Sequence, residues 1–156
     1  MDNFTYHRAT LADLDALAEL RALVLHTANE LPDEVEIPQE VRDASRDFYS
    51  RRLTDGSHVA YIVYDGEVIV GAGGVTFYEV MPMCSLPTGN CAYIQNMYTH
   101  PDYRRRGIAW ETLTRLVAEA RRRGLSSVGL EATDMGKPLY EKFGFEVQQR
   151  EMRLEF

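Results

Sequence analysis

Three consecutive arginines, Arg104, Arg105 and Arg106, stand directly before Gly107 in a chain whose formal net charge is −7. The run continues through Ile108, Ala109 and Trp110, and it lies between a β-type pattern and a stretch with helical spacing. The first N–H groups of a helix lack an intrahelical acceptor, and the aligned peptide dipoles add partial positive charge there. A glycine at that point lets a ligand approach the backbone, and Ala109 is too small to block it. Arginines alongside add full charge. The chemistry that suits such a place is anion binding, phosphate above all. The plainer alternative is a solvated charge run. The glycine at the helix start weighs against it.

Two other phosphate loops are excluded. A Walker loop needs G-x-x-x-x-G-K-[ST], and no lysine follows Gly107. "GAGG" at Gly71–Gly74 resembles part of a dinucleotide fingerprint, but "VTFYEV" follows it, a strand pattern where that fingerprint requires a helix. A strand irregularity or bulge is the expectation there. No His or Cys pair has metal-ligand spacing, so no metal is expected. Cys84 and Cys91 read as two reduced thiols beside a loop, and a cytoplasmic setting follows.

With 156 residues and 45% apolar content, the chain is expected to fold as a single domain over 1–156 with its own core. No run of about 18 apolar residues occurs, so no membrane span is expected. The N-terminus shows no signal-peptide pattern. The acidic balance argues against nucleic acid as a partner and is compatible with a cationic substrate.

These residues must be held by elements whose periods are legible. "FTYHRAT" alternates as a half-buried strand does. Thr10 and Asp13 have capping-box spacing ahead of a helix over 11–29. A second helix covers 39–54 and stops near "TDG". "HVAYIVYDGEVIVGAGGVTFYEV" holds two strands around Asp65-Gly66, a strong hairpin signal. "CAYIQNMYTH" is a fourth strand, ended by Pro101. An amphipathic helix runs from Gly107 to Arg123, with Gly124 suited to its C-terminal cap. "SSVGLEAT" is a fifth strand, Lys137–Phe143 a short helix, and "FEVQQREMRLEF" a closing strand. The order β-α-α-β-β-β-α-β-α-β describes one α/β domain built on a mixed sheet.

"RRRGIA" and, about 30 residues on, "PLYEKFGF" together resemble the two signatures of the GCN5-related N-acetyltransferases (GNAT). The first matches that family's Q/R-x-x-G-x-G/A pyrophosphate motif. The second matches a tyrosine before a turn and a Gly-Phe pair. The element order resembles the family fold over essentially the whole chain. The resemblance implies acetyl transfer from acetyl-CoA to an amine, with the "YIQNMYT" strand splaying from its "SVGLEAT" neighbour around the pantetheine arm. It assigns the backbone at Met97, Tyr98 and Thr99 to the pantetheine and acetyl group, and the N–H groups of Arg105 to Trp110 to the pyrophosphate. It places Tyr140 near the CoA sulfur. A phenol with a pKa of about 10 can protonate the departing thiolate, so Tyr140 is the candidate acid. The attacking amine, whose pKa is about 10.4, needs a base or a water relay.

The chain departs from the family pattern at Thr133 and Gly136, where many members carry Asn and Ala. Thr133 can still hydrogen-bond the pantetheine. Four residues are candidates for the base: Glu79, Glu131, Asn96 and His100. For each, a structural or solvated role is the stronger reading. Gly144 reads as a turn requirement. The segment between the first two helices carries Glu30, Asp33, Glu34, Glu36 and Glu40, either an acidic rim for a cationic acceptor or a solvated loop. Met81, Met83 and Leu86 supply either an apolar wall or the face of a homodimer. Two alternatives stay open: a CoA-binding sensor or interaction module without catalysis, and transfer of a longer acyl group.

Overall fold

A computed structural model describes residues 2–156. Five strands form one sheet in the order of the chain: β1 (Thr5–Arg8), β2 (His58–Asp65), β3 (Val68–Glu79), β4 (Asn90–Thr99) and β5 (Gly129–Leu130). All neighbours are antiparallel except β4 and β5, which run parallel. The β2–β3 connection is the tight turn foreseen at Asp65-Gly66, with Gly66 at φ +61°.

Helices α1 (Leu14–Ala28) and α2 (Gln39–Asp55) cover one face, and α3 (Ile108–Arg122) and α4 (Lys137–Phe143) cover the other. Alternation along the strands divides the core in two. Val59, Tyr61, Val75, Ala92 and Ile94 point toward Leu113, Leu116 and Val117 of α3. Ala60, Ile62 and Ala72 point toward Leu17, Leu20 and Tyr49 of α1 and α2. β2 is thus buried on both faces, which explains its nearly unbroken apolar run.

The helices begin and end on local chemistry. Thr10 and Asp13 form the reciprocal capping box, and the Thr10 N–H donates to Asp13 Oδ2 at 2.7 Å. The first turn it caps is a short 3₁₀ turn, Leu11–Asp13, so α1 itself starts at Leu14. Gly56 ends α2 and Gly144 ends α4, each in the left-handed region. Glu119 is almost wholly buried in α3 and accepts from Arg8 at 2.7 Å and from Arg122 and Tyr61, so its charge is compensated.

Two expected strands differ. "SSVGLEAT" forms only two paired residues, Gly129 and Leu130, opposite Tyr93 and Ile94. The closing strand over "FEVQQREMRLEF" is absent: residues 146–156 are exposed and lie outside regular structure. A strand needs a paired edge, and β5 is too short to offer one. The segment Glu146–Glu151 is also polar on both sides apart from Val147, so no face of it demands burial.

The glycines at 71–74 serve packing. A Cβ at Gly71 would come within 2.6 Å of Ile108 Cγ2, and one at Gly73 within 2.7 Å of Thr112 Cγ2 on α3. The expected irregularity is present: the β3–β4 register shifts between Ala72 and Gly74, and the extra residue lies on β4.

Candidate active site

The site is built where β4 leaves its neighbour. Asn96 has φ +60°, unusual for a residue other than glycine, and it sits in the one-residue bulge where Asn96 and Met97, between Gln95 (opposite Gly74) and Tyr98 (opposite Ala72), face Gly73 alone. Its side chain is held on both sides. Arg21 donates to Oδ1 at 3.3 Å, and Nδ2 donates to the Tyr49 hydroxyl at 3.4 Å. Burial pushes the Tyr49 phenol up to about 12, so it stays neutral. Pairing of β4 with β5 ends at Ile94, immediately before this bulge. From Gln95 to Thr99, β4 therefore has no partner on its β5 side, and the two parallel strands enclose a notch. Met97, Tyr98 and Thr99 lie along it. The Met97 side chain packs toward α3 and the Tyr98 ring toward the α1–α2 core.

Beyond Thr99 the chain turns through Pro101–Tyr103 into α3. Arg105 at φ +65° and Gly107 at φ +83° bend the backbone into the helix. The first α-helical bond of α3 is donated by Glu111 to the Gly107 carbonyl at 3.0 Å. The N–H groups of Arg105, Arg106, Gly107, Ile108, Ala109 and Trp110 find no acceptor among the described residues. An unpaired helix start of this kind can receive an anion, and it follows directly on the C-terminal end of β4. Space around Gly107 is free, and a Cβ there would meet nothing within 4 Å. The requirement for glycine is thus conformational.

The three arginines separate by role. Arg106 is taken up structurally: Asp2 receives it at 2.7 and 2.6 Å, and its guanidinium lies over Phe4 and Tyr103. The pair holds the Asp2 carboxyl below its usual value. Arg104 and Arg105 are exposed and form no ion pair among the described residues.

Tyr140 projects from α4 into the core formed with α3, and Met97 packs against that same cluster. Its ring meets Phe145 edge-on at 5.9 Å. Burial raises its pKa, keeping the proton on the phenol. The departure at Gly136 is explained here: a Cβ at that position would lie 2.9 Å from Tyr140 Cε2. The alanine usual in the family would collide with this ring. Thr133 accepts from the Gly136 N–H through both its carbonyl, at 3.1 Å, and its hydroxyl, at 3.2 Å. Pro138 occupies the first turn of α4.

The four candidate bases are not gathered at the notch. Glu79 pairs with Asn90, at the end of β3–β4 far from Thr99. Asn96 has no basic atom and is locked by Arg21 and Tyr49. His100 caps the turn after β4 by accepting from the Asp102 N–H at 3.2 Å. Glu131 follows β5 and is exposed. Its carboxylate and that of Glu151 add to burial in raising the Tyr93 phenol. The acidic residues Glu30, Asp33, Glu34, Glu36 and Glu40 are exposed and unpaired among the described residues. A groove of about 710 Å³ between the start of β4, β5 and residues 143–148 lies away from the notch. No helix is long and apolar enough to cross a membrane among the described residues.

Comparison with known proteins bears on the fold and the family. Residues 22–145 match the model of the acetyltransferase (GNAT) family. No curated protein matches the chain. Among solved structures, a predicted acetyltransferase with acetyl-CoA from Clostridium acetobutylicum is 27% identical with a TM-score of 0.90, over 98% of this chain and 96% of that one. A GCN5-related N-acetyltransferase from Ralstonia eutropha is also 27% identical, with a TM-score of 0.85 over 99% of both chains. Glucosamine-6-phosphate N-acetyltransferase from Arabidopsis thaliana shares the fold at 17% identity, with a TM-score of 0.70 over 99% of both chains. With the family model matched over residues 22–145 and the fold matched along nearly the whole chain, this chain belongs to the GNAT acetyltransferase family.

Proposed function

We propose that this chain transfers an acetyl group from acetyl-CoA to a primary amine of a small molecule or peptide, by direct attack within a ternary complex. The observation that carries the reading is the unpaired length of β4 from Gln95 to Thr99, which runs straight into six free N–H groups at the start of α3. A pantetheine arm can add to β4 as an extra strand does, while its pyrophosphate meets the helix N-terminus. Thr133, exposed before α4, borders the same arm. The solved Clostridium relative, with acetyl-CoA, supports the choice of donor.

In this reading the neutral amine attacks the thioester carbon, and a backbone N–H near Met97 stabilises the oxyanion. The C–N bond forms, the C–S bond breaks, and the amine proton leaves to water in the open notch. The CoA thiolate takes the Tyr140 proton, which burial keeps in place at neutral pH, and the phenolate regains a proton from solvent after the products leave. Cytoplasmic residence and one domain working as a unit accompany this assignment.

Thiol release from acetyl-CoA, followed against a panel of alkylamines, amino sugars, polyamines and peptides, tests the reading. Turnover with at least one class is expected. Tight CoA binding with no thiol release for any of them would refute it and leave a CoA-binding module.

A further inference from the structure

Of the four histidines, His58 alone is buried. It lies on β2 beneath α2, with the Phe48 and Tyr49 rings edge-on at 5.3 and 5.4 Å. Its Nδ1 is 2.8 Å from Thr76 Oγ1. Its Nε2 is buried with no partner, and a Cβ on Gly74 would come within 2.7 Å of it. Burial and the nearby Arg52 push its pKa down to about 4, so the ring carries one proton at neutral pH. That proton belongs on Nδ1, because a buried N–H without an acceptor costs more than a lone pair without a donor.

The consequence runs across the sheet. With Nδ1–H donating, Thr76 Oγ1 accepts, and its single hydrogen goes to Gln95 Oε1 at 3.1 Å. The Gln95 carbonyl is then occupied, and both N–H bonds of its amide remain without an acceptor among the described residues. Gln95 is half-buried on β4, two residues before Met97 and beside the Asn96 bulge. It is on the α1–α2 face, whereas Tyr140 and Met97 pack on the α3–α4 face. Its amide therefore stands on the sheet face opposite Met97 and Tyr140, one residue before the bulge at which β4 parts from β5.

We propose that Gln95 Nε2 donates a hydrogen bond to an oxygen of the acceptor, so that this chain prefers amines bearing a nearby hydroxyl, carbonyl or carboxylate over plain alkylamines. The inference rests on the acetyl-transfer reading and adds a specificity-determining residue to it.

Two measurements test it. Long-range ¹H–¹⁵N spectra of the full chain at pH 7 are expected to show His58 with its proton on Nδ1. A proton on Nε2 would reverse the hydrogen-bond chain, leave Gln95 presenting an oxygen, and overturn the proposal. Kinetics with paired acceptors of equal length, 2-aminoethanol against propylamine and glycine amide against isobutylamine, read the preference itself. Gln95→Glu still accepts from Thr76 but loses both donors, and Gln95→Met loses them without adding charge. Each is expected to lower the ratio of kcat/KM for the oxygen-bearing member over its partner at least 10-fold. An unchanged ratio in both variants refutes the role of Gln95 while acetyl transfer stands. An absence of thiol release by the parent with every amine instead removes the acetyl-transfer reading, and the acceptor role with it.

Discussion

Gly136→Ala is the most informative single substitution, because two opposing effects on stability separate from one effect on catalysis. Gly136 has φ −83° and ψ −24°, a conformation alanine adopts freely. Loss of glycine's freedom in the unfolded chain alone would stabilise by about 0.4–1 kcal/mol. The new Cβ, however, would sit 2.9 Å from Tyr140 Cε2. Reaching an ordinary contact requires the ring to retreat by roughly 0.5 Å, and overpacking of this kind costs about 1–3 kcal/mol. The net expectation is a destabilisation of about 0–2.6 kcal/mol. Catalysis should suffer more clearly. A misplacement of about 1 Å can cost about 100-fold, so half of that predicts a kcat lower by about 10-fold. The KM for acetyl-CoA should change little, because the start of α3, where we propose the pyrophosphate binds, is untouched. Denaturant unfolding and steady-state thiol release measure the two sides. A variant more stable than the parent with unchanged kcat would show that the ring need not move, or that its position does not matter, and would refute the argument.

Tyr140→Phe should lower kcat by about 100-fold or more while leaving acetyl-CoA binding nearly intact, as judged by calorimetry; equal turnover across pH would remove Tyr140 as the acid. Gly107→Val should weaken acetyl-CoA binding more than Arg104→Ala or Arg105→Ala, since a left-handed φ of +83° costs a side-chain-bearing residue about 1–2 kcal/mol and redirects the N–H groups. Arg106→Ala should act chiefly on thermal stability, because its guanidinium is occupied by Asp2, Phe4 and Tyr103. His58 should give the fold an acid limb. Its pKa is about 4 folded and 6.5 in the unfolded chain, so between those values the unfolded state binds more protons. Stability should therefore fall with pH from about 6.5 to 4, by on the order of 3 kcal/mol, and urea unfolding of His58→Gln should show a flatter slope over that window.

What could be read along the chain was whatever depends on neighbours in sequence. The capping box at Thr10 and Asp13, the turn at Asp65-Gly66, the glycine before α3 and the stripe of Leu113, Leu116 and Val117 are local patterns, and the chain folds accordingly. So were the two signatures that mark the family, because each requirement is met within a few residues. The failures lie where pairing decides. "FEVQQREMRLEF" has a partial strand pattern, yet a strand exists only against a partner, and β5 is two residues long. The bulge at Asn96 is held by Arg21 and Tyr49, 75 and 47 positions away, so no local pattern announces it. The same holds for the division of labour among the arginines, since Asp2 reaches Arg106 across 104 positions. Likewise, the chain from His58 through Thr76 to Gln95 joins three strands, and its direction follows from one buried nitrogen that the fold leaves without a partner. Sequence alone determined the caps, the hairpin turn and the glycine-led start of α3. Tertiary packing alone decided which side chains remain free to act, because burial and long-range partners, not residue type, set the state of a donor or an acid.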